Sequence, residues 1–216
     1  MAGQNSFADR REAGIMLGAR LAQLALADPV VLALPRGGVP VGFEVAKALG
    51  CPLDILLVRK IGAPGHEEYG IGALVDGSNP QIVIDEAIAQ MVGADKAYID
   101  RTVVRELAEL ERRRSAYRSG PPEPLAGRTV VVVDDGIATG NTVKAALQGL
   151  ARAGAAMVIL AVPVAPATTL LELEKLCDRV VCLNVPEPFY AVGAHYRDFD
   201  QTSDEEVISL LAQARR

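Results

Sequence analysis

The sequence predicts an α/β protein built on a doubly wound parallel sheet. Three observations predict it. Short apolar, β-branched runs alternate with longer segments of helical periodicity along most of the chain. The run Val130, Val131, Val132, Val133 is apolar at every position, which suits a strand covered on both faces and not a strand with one wet face. The composition is that of an aliphatic sheet-and-helix core: half of the 216 residues are hydrophobic, and none is Trp. A chain of this length makes one sizeable domain, with a core expected over about 28–183 and a smaller C-terminal part over about 184–216.

The elements follow in order. Ser6 is a candidate cap for a first helix over 7–26, with Ile15, Leu17, Leu21 and Leu24 near one face. Residues 30–34 form a strand. Pro35, Arg36, Gly37 and Gly38 turn it into a helix over 39–49, which Gly50 ends. Residues 53–58 make a second strand, and 61–70, rich in Gly and Pro, a loop. A hairpin follows, 71–76 with 81–85 across Gly77, Ser78, Asn79 and Pro80. A long amphipathic helix spans 95–118, and 119–127 is a surface connection. Strand 130–133 leads into a helix over 142–150. The chain closes with strand 157–164, helix 165–176, strand 179–183 and helix 204–214.

Charge and composition exclude several classes. The net charge of −5 argues against a general nucleic-acid binder. No apolar run reaches membrane-spanning length, and the polar, mixed-charge N-terminus does not read as a secretory signal. Cys51, Cys177 and Cys182 have neither metal-type nor redox spacing, and the two histidines are far apart. The cysteines read as reduced core residues of a cytoplasmic protein. Arg101, Arg105, Arg112, Arg113 and Arg114 alternate with Glu106, Glu109 and Glu111 along the 95–118 helix, as on a solvated face.

The chemistry concentrates at 130–142. Asp134 and Asp135 leave the buried strand, Gly136, Ile137, Ala138, Thr139, Gly140 and Asn141 make a short loop, and Thr142 opens a helix. Unpaired N–H groups at a helix start and in a compact loop attract anions, and the neighbouring acids suit a polyol or a hydrated metal. The bland alternative for Asp135 is a helix-capping acid. Asn141 stands where a Walker A loop needs Lys. Two further strand ends carry unusual residues. Arg36 beside Gly37 and Gly38 can grip an anion bidentately, with the glycines admitting a ligand or a positive φ. Arg59 and Lys60 add two cations. In a doubly wound sheet all three ends face one crevice.

The run from Val130 to Thr142 resembles the phosphoribosyl pyrophosphate (PRPP) motif of type I phosphoribosyltransferases: apolar residues, two acids, a short variable stretch, then Thr-Gly-x-Thr. That resemblance implies a Rossmann-like fold with a small C-terminal hood. It implies Asp134 and Asp135 on the ribose hydroxyls, and Thr139, Thr142 and the N–H groups of 137–142 on the 5-phosphate. It also implies Arg36, Gly37, Gly38, Arg59 and Lys60 on pyrophosphate, and Mg²⁺ near Asp134 and Asp135, held mostly through water or ribose hydroxyls. The 61–70 loop looks like the family's mobile catalytic loop. Glu68-Tyr69-Gly70 resembles a segment of adenine phosphoribosyltransferases, with Glu68 toward the acceptor; the bland reading is a solvated loop tip. Ala138 stands where enzymes for 6-oxopurines carry Asp and cannot move a proton, which agrees with the adenine type. Phe189, Tyr190 and Tyr196 either stack on a base in the hood or pin a C-terminal loop to the core. The implied reaction is transfer of 5-phosphoribosyl to a nucleobase-like nitrogen by a cytoplasmic homodimer, with no nucleic acid or membrane involved. A non-catalytic PRPP-binding regulator and a phosphoribosyl hydrolase are the rival readings.

Overall fold

The structure is a computed structural model that describes residues 6–76, 80–117 and 120–215, with the side chain of Glu68 and the hairpin tip at 77–79 outside the described residues. Five parallel strands form the central sheet: β1 (Pro29–Ala33), β2 (Leu53–Ile55), β6 (Thr129–Val133), β7 (Met157–Val164) and β8 (Arg179–Asn184). Their order is β2-β1-β6-β7-β8. The winding reverses between β1 and β6, which run in register from Pro29 opposite Thr129 to Ala33 opposite Val133. Doubly wound sheets open a crevice at such a reversal.

The four valines of β6 explain why that strand needs no polar face. Val131 and Val133 join Val31 and Ala33 on one side of the sheet, under α1 (Arg10–Ala22), α2 (Gly38–Leu49) and α7 (Asp204–Ala214). Val130 and Val132 join Val30 and Leu32 on the other, under α5 (Asn141–Leu150) and α6 (Ala167–Leu173). Side chains alternate sides along a strand, so helices on both faces require an unbroken apolar run.

Three expectations change. The first helix begins at Arg10 because Asp9, not Ser6, caps it, its carboxylate accepting the Glu12 N–H at 2.8 Å. Phe7 instead runs extended beside Tyr196. The expected strand 53–58 ends early at Ile55, and the expected loop 61–70 is a β-hairpin: β3 (Val58–Ala63) pairs antiparallel with β4 (His66–Val75), which pairs with β5 (Gln81–Ile84). Ile61, Ala63 and Ile71 are buried under α3 (Glu86–Met91) and α4 (Lys96–Tyr117), and that burial outweighs the loop-like glycine content. Gly62 marks the register shift there, where a Cβ would overlap the Glu67 carbonyl oxygen. The six-residue α3, capped by Asp85, has too short a pattern to read in advance. Among the described residues no helix is long and apolar enough to cross a membrane.

Candidate active site

The reversal point brings two loops together. The Leu34 N–H donates to the Val133 carbonyl at 2.8 Å, so the segments leaving β1 and β6 start side by side. The peptide between Pro35 and Arg36 is cis. Gly37 has ordinary helical dihedrals, so neither glycine is there for a positive φ. Their role is close approach. A Cβ on Gly37 would overlap an Asp135 carboxylate oxygen, and one on Gly38 would lie 2.8 Å from the Val133 carbonyl oxygen. The two loops are thus packed against each other before any ligand arrives.

The Asp135 side chain is largely buried and paired. Arg10 Nε donates to its Oδ2 at 2.8 Å, with the two side chains only 13% and 15% exposed. The same guanidinium lies 3.9 Å over the Phe199 ring and donates to the Asp200 carbonyl at 2.7 Å. Asp134 Oδ1 accepts the Asp135 N–H at 2.8 Å. Burial pushes the Asp134 carboxyl well above the usual range, and the neighbouring Asp135 charge pushes it further. Burial also raises Asp135, though Arg10 partly offsets this. Two adjacent acids, of which only Asp135 is paired with Arg10, are arranged to receive hydroxyl groups or a further positive charge.

The loop beyond them is held from outside. The Ile137 N–H donates to the Val164 carbonyl at 2.9 Å, so the donor run for an anion begins after Ile137 and not at it. Thr169 donates its hydroxyl to the Ala138 carbonyl at 2.8 Å. Gly140 sits at φ 74° as the N-cap of α5, and a Cβ there would meet Thr169 Cγ2 at 2.7 Å. Thr139, Asn141 and Thr142 are exposed at this helix start, which has no side-chain cap. Gly140→Ala is expected to destabilise the fold by about 2 kcal/mol, from the left-handed backbone and the clash. A chemical-denaturation midpoint measures it, and an unchanged midpoint would refute the close fit.

Residues 9–198 match the model of the phosphoribosyl transferase domain. The chain belongs to this family. It is 47% identical over 211 residues to "Putative phosphoribosyl transferase Rv0571c" of Mycobacterium tuberculosis, covering 97% of this chain and 47% of that protein. The chain thus spans about half the length of the curated relatives it matches. The crystal structure of TT1426 from Thermus thermophilus is similar at 44% identity and TM-score 0.85, covering 96% of this chain and 98% of the other. The AQ2163 protein from Aquifex aeolicus shares the fold at 14% identity and TM-score 0.50, covering 85% and 78%.

Within this phosphoribosyl transferase domain a cleft of about 330 Å³ opens beside the Arg36 loop. Leu34, Leu56, Leu57 and Ala116 supply its apolar wall, and Thr142 reaches its edge. Arg59 lines it and is bound to Glu106 at 2.7 and 2.9 Å. Lys60, the next residue of β3, projects to the opposite face by strand alternation, so the expected cation pair is split. The side chain of Glu68 lies outside the described residues, and its backbone is part of β4 rather than of a loop. Of the aromatic hood candidates, Tyr196 is corrected: it is 7% exposed, its ring lies between Phe7 and Phe199, and its hydroxyl donates to the Asp135 carbonyl. A ring enclosed on both sides cannot stack on a base. Phe189 stacks on His195 with centroids 5.7 Å apart, and Tyr190 is exposed.

Sequence reasoning missed Arg10, Arg112, Arg113, Tyr117 and Asp204. Arg10 is 125 positions from Asp135, with no local signal for the pair. Arg112 and Arg113 match the periodicity of a solvated helix face, yet both line the cleft with Tyr117 and Asp204. Only the helix's contact with the reversal point distinguishes them from the other arginines of α4.

Proposed function

We propose that the chain transfers the 5-phosphoribosyl group of PRPP to a nitrogen of a nucleobase-like acceptor and releases pyrophosphate. One observation carries this reading: the acid pair, the Thr-Gly loop opening α5 and the Arg36 loop meet at a single reversal point, the place for a ligand with a phosphate, vicinal hydroxyls and a second polyanionic end. In the reaction a C–N bond forms at the anomeric carbon while the C–O bond to pyrophosphate breaks, and its electron pair leaves with pyrophosphate. Asp134 and Asp135 accept hydrogen bonds from the ribose 2- and 3-hydroxyls and favour the positive charge that develops on the ring. The N–H groups after Ile137, with Thr139 and Thr142, hold the 5-phosphate. Arg36 and Arg59 stabilise the charge that gathers on the leaving group.

The donor set fits Mg²⁺ as an ion held largely by ligand oxygens and water. Asp134 and Asp135 offer hard oxygens, one of them engaged by Arg10, and among the described residues no group of three or more His, Cys, Asp or Glu could hold a metal. When bound, Mg²⁺ neutralises pyrophosphate charge.

Incubation with PRPP, Mg²⁺ and a panel of nucleobases, with pyrophosphate release followed, tests the proposal. Release that depends on one base and is lost in Asp134→Asn/Asp135→Asn is the expected result. Tight PRPP binding without release for any base would replace the transferase by a non-catalytic binder, and slow base-independent release by a hydrolase.

A further inference from the structure

The cleft beside the Arg36 loop contains two more cations than the PRPP-type motifs account for. Four guanidinium groups line it: Arg36, Arg59, and Arg112 and Arg113 from the last turns of α4. Arg59 is matched by Glu106. Arg112 and Arg113 share a single carboxylate, Glu109, at 2.8 and 2.9 Å. Arg113 lines the cleft, is 45% exposed and binds Glu109 through its Nε, so its two terminal nitrogens are not engaged by that carboxylate. A guanidinium has five N–H donors in a fork suited to phosphate oxygens.

One carboxylate lines the same cleft. Asp204, the first residue of α7, accepts a hydrogen bond from the Tyr117 hydroxyl and lies 3.7 Å from Arg36 Nη1. Burial and the bond to Asp204 push the Tyr117 hydroxyl up to about 12, so it stays a donor. Asp204 therefore holds, with one negative charge, the position that Arg36, Tyr117 and the nearby Arg112 and Arg113 offer to an anion. With the Arg36–Asp204 pair partly exposed and longer than a hydrogen bond, a polyanion of higher charge has a clear advantage there.

We propose that Arg112 and Arg113 bind the pyrophosphate end of the ligand directly, and that Asp204 is an internal counter-anion which this ligand displaces from Arg36; the assignment rests on the PRPP reading of the neighbouring loop. Displacement leaves the Tyr117 hydroxyl free to donate to a phosphate oxygen. It also loosens a link between the end of α4 and the start of α7, so ligand binding is coupled to the position of the C-terminal helix.

Calorimetric titration of the whole chain with pyrophosphate, and separately with ribose 5-phosphate, both with Mg²⁺, tests this. Arg112→Gln/Arg113→Gln removes two exposed side chains and is expected to weaken pyrophosphate about tenfold or more while leaving ribose 5-phosphate unchanged. Asp204→Asn keeps an acceptor for Tyr117 and removes the competing charge, so pyrophosphate should bind severalfold tighter. Thermal melts of both variants verify that they fold. Unchanged pyrophosphate affinity in the arginine variant, or weaker binding in folded Asp204→Asn, overturns the proposal. A protein that binds pyrophosphate through Arg112 and Arg113 but does not bind ribose 5-phosphate would refute the PRPP reading alone.

Discussion

Replacing Arg10 by alanine is expected to destabilise the ligand-free protein by about 3 kcal/mol at pH 7. The value follows from the pair's burial, since both side chains are at least 85% covered and Asp135 would keep its charge with no cation beside it. The loss of the stem's packing and of the guanidinium over Phe199 adds to it. The Asp135 charge already acts on Asp134, so leaving it without its cation is felt by both acids. The deficit should shrink as the pH falls, because protonating Asp135 relieves the uncompensated charge. Denaturant titrations of wild type and Arg10→Ala at pH 7 and pH 5 read both effects. A deficit below about 0.5 kcal/mol at pH 7 would place the pair among ordinary surface salt bridges and overturn the account.

Asp134→Asn is expected to have the opposite sign for stability. Its carboxyl is held above the ordinary value near 3.8, chiefly by burial. Folding then favours the protonated acid, so the native state binds more protons than the unfolded chain. Stability therefore falls as pH rises from near the unfolded value through the raised folded one. Asparagine keeps an oxygen for the Asp135 N–H and carries no charge to desolvate. The variant should gain about 1 kcal/mol at neutral pH, with the gain vanishing near pH 4. Ribose 5-phosphate affinity should meanwhile drop by about tenfold or more, as a charged acceptor for a ribose hydroxyl is lost. Melts in chelator across pH 4–8, beside a binding titration, test the pair of effects. A variant less stable at pH 7 would show that the acid is supported where it sits.

Local pattern carried far in this chain. The alternation of apolar runs and helical periods foretold the parallel sheet, and the unbroken valines foretold helices on both of its faces. The acid pair and the Thr-Gly loop lie where a strand's end meets a helix start, as their order along the chain requires. Local pattern failed at 61–70, where Gly and Pro content suggested a loop. Ile61, Ala63 and Ile71 were enough to bury a hairpin, but only against α3 and α4, which a window of ten residues does not contain. It failed again at Lys60, where two adjacent cations looked like one feature until strand alternation separated them.

The amino-acid order alone determines most strands of the parallel sheet, the approximate place of most helices and the chemistry of the 130–142 segment, because propensity, capping and periodicity act over a few residues. Tertiary structure decides which charges meet. Arg10 reaches Asp135, and α4 and α7 bring Arg112, Arg113, Tyr117 and Asp204 to the Arg36 loop. Coulomb energy and desolvation depend on distance and burial in space, and chain separation conveys neither.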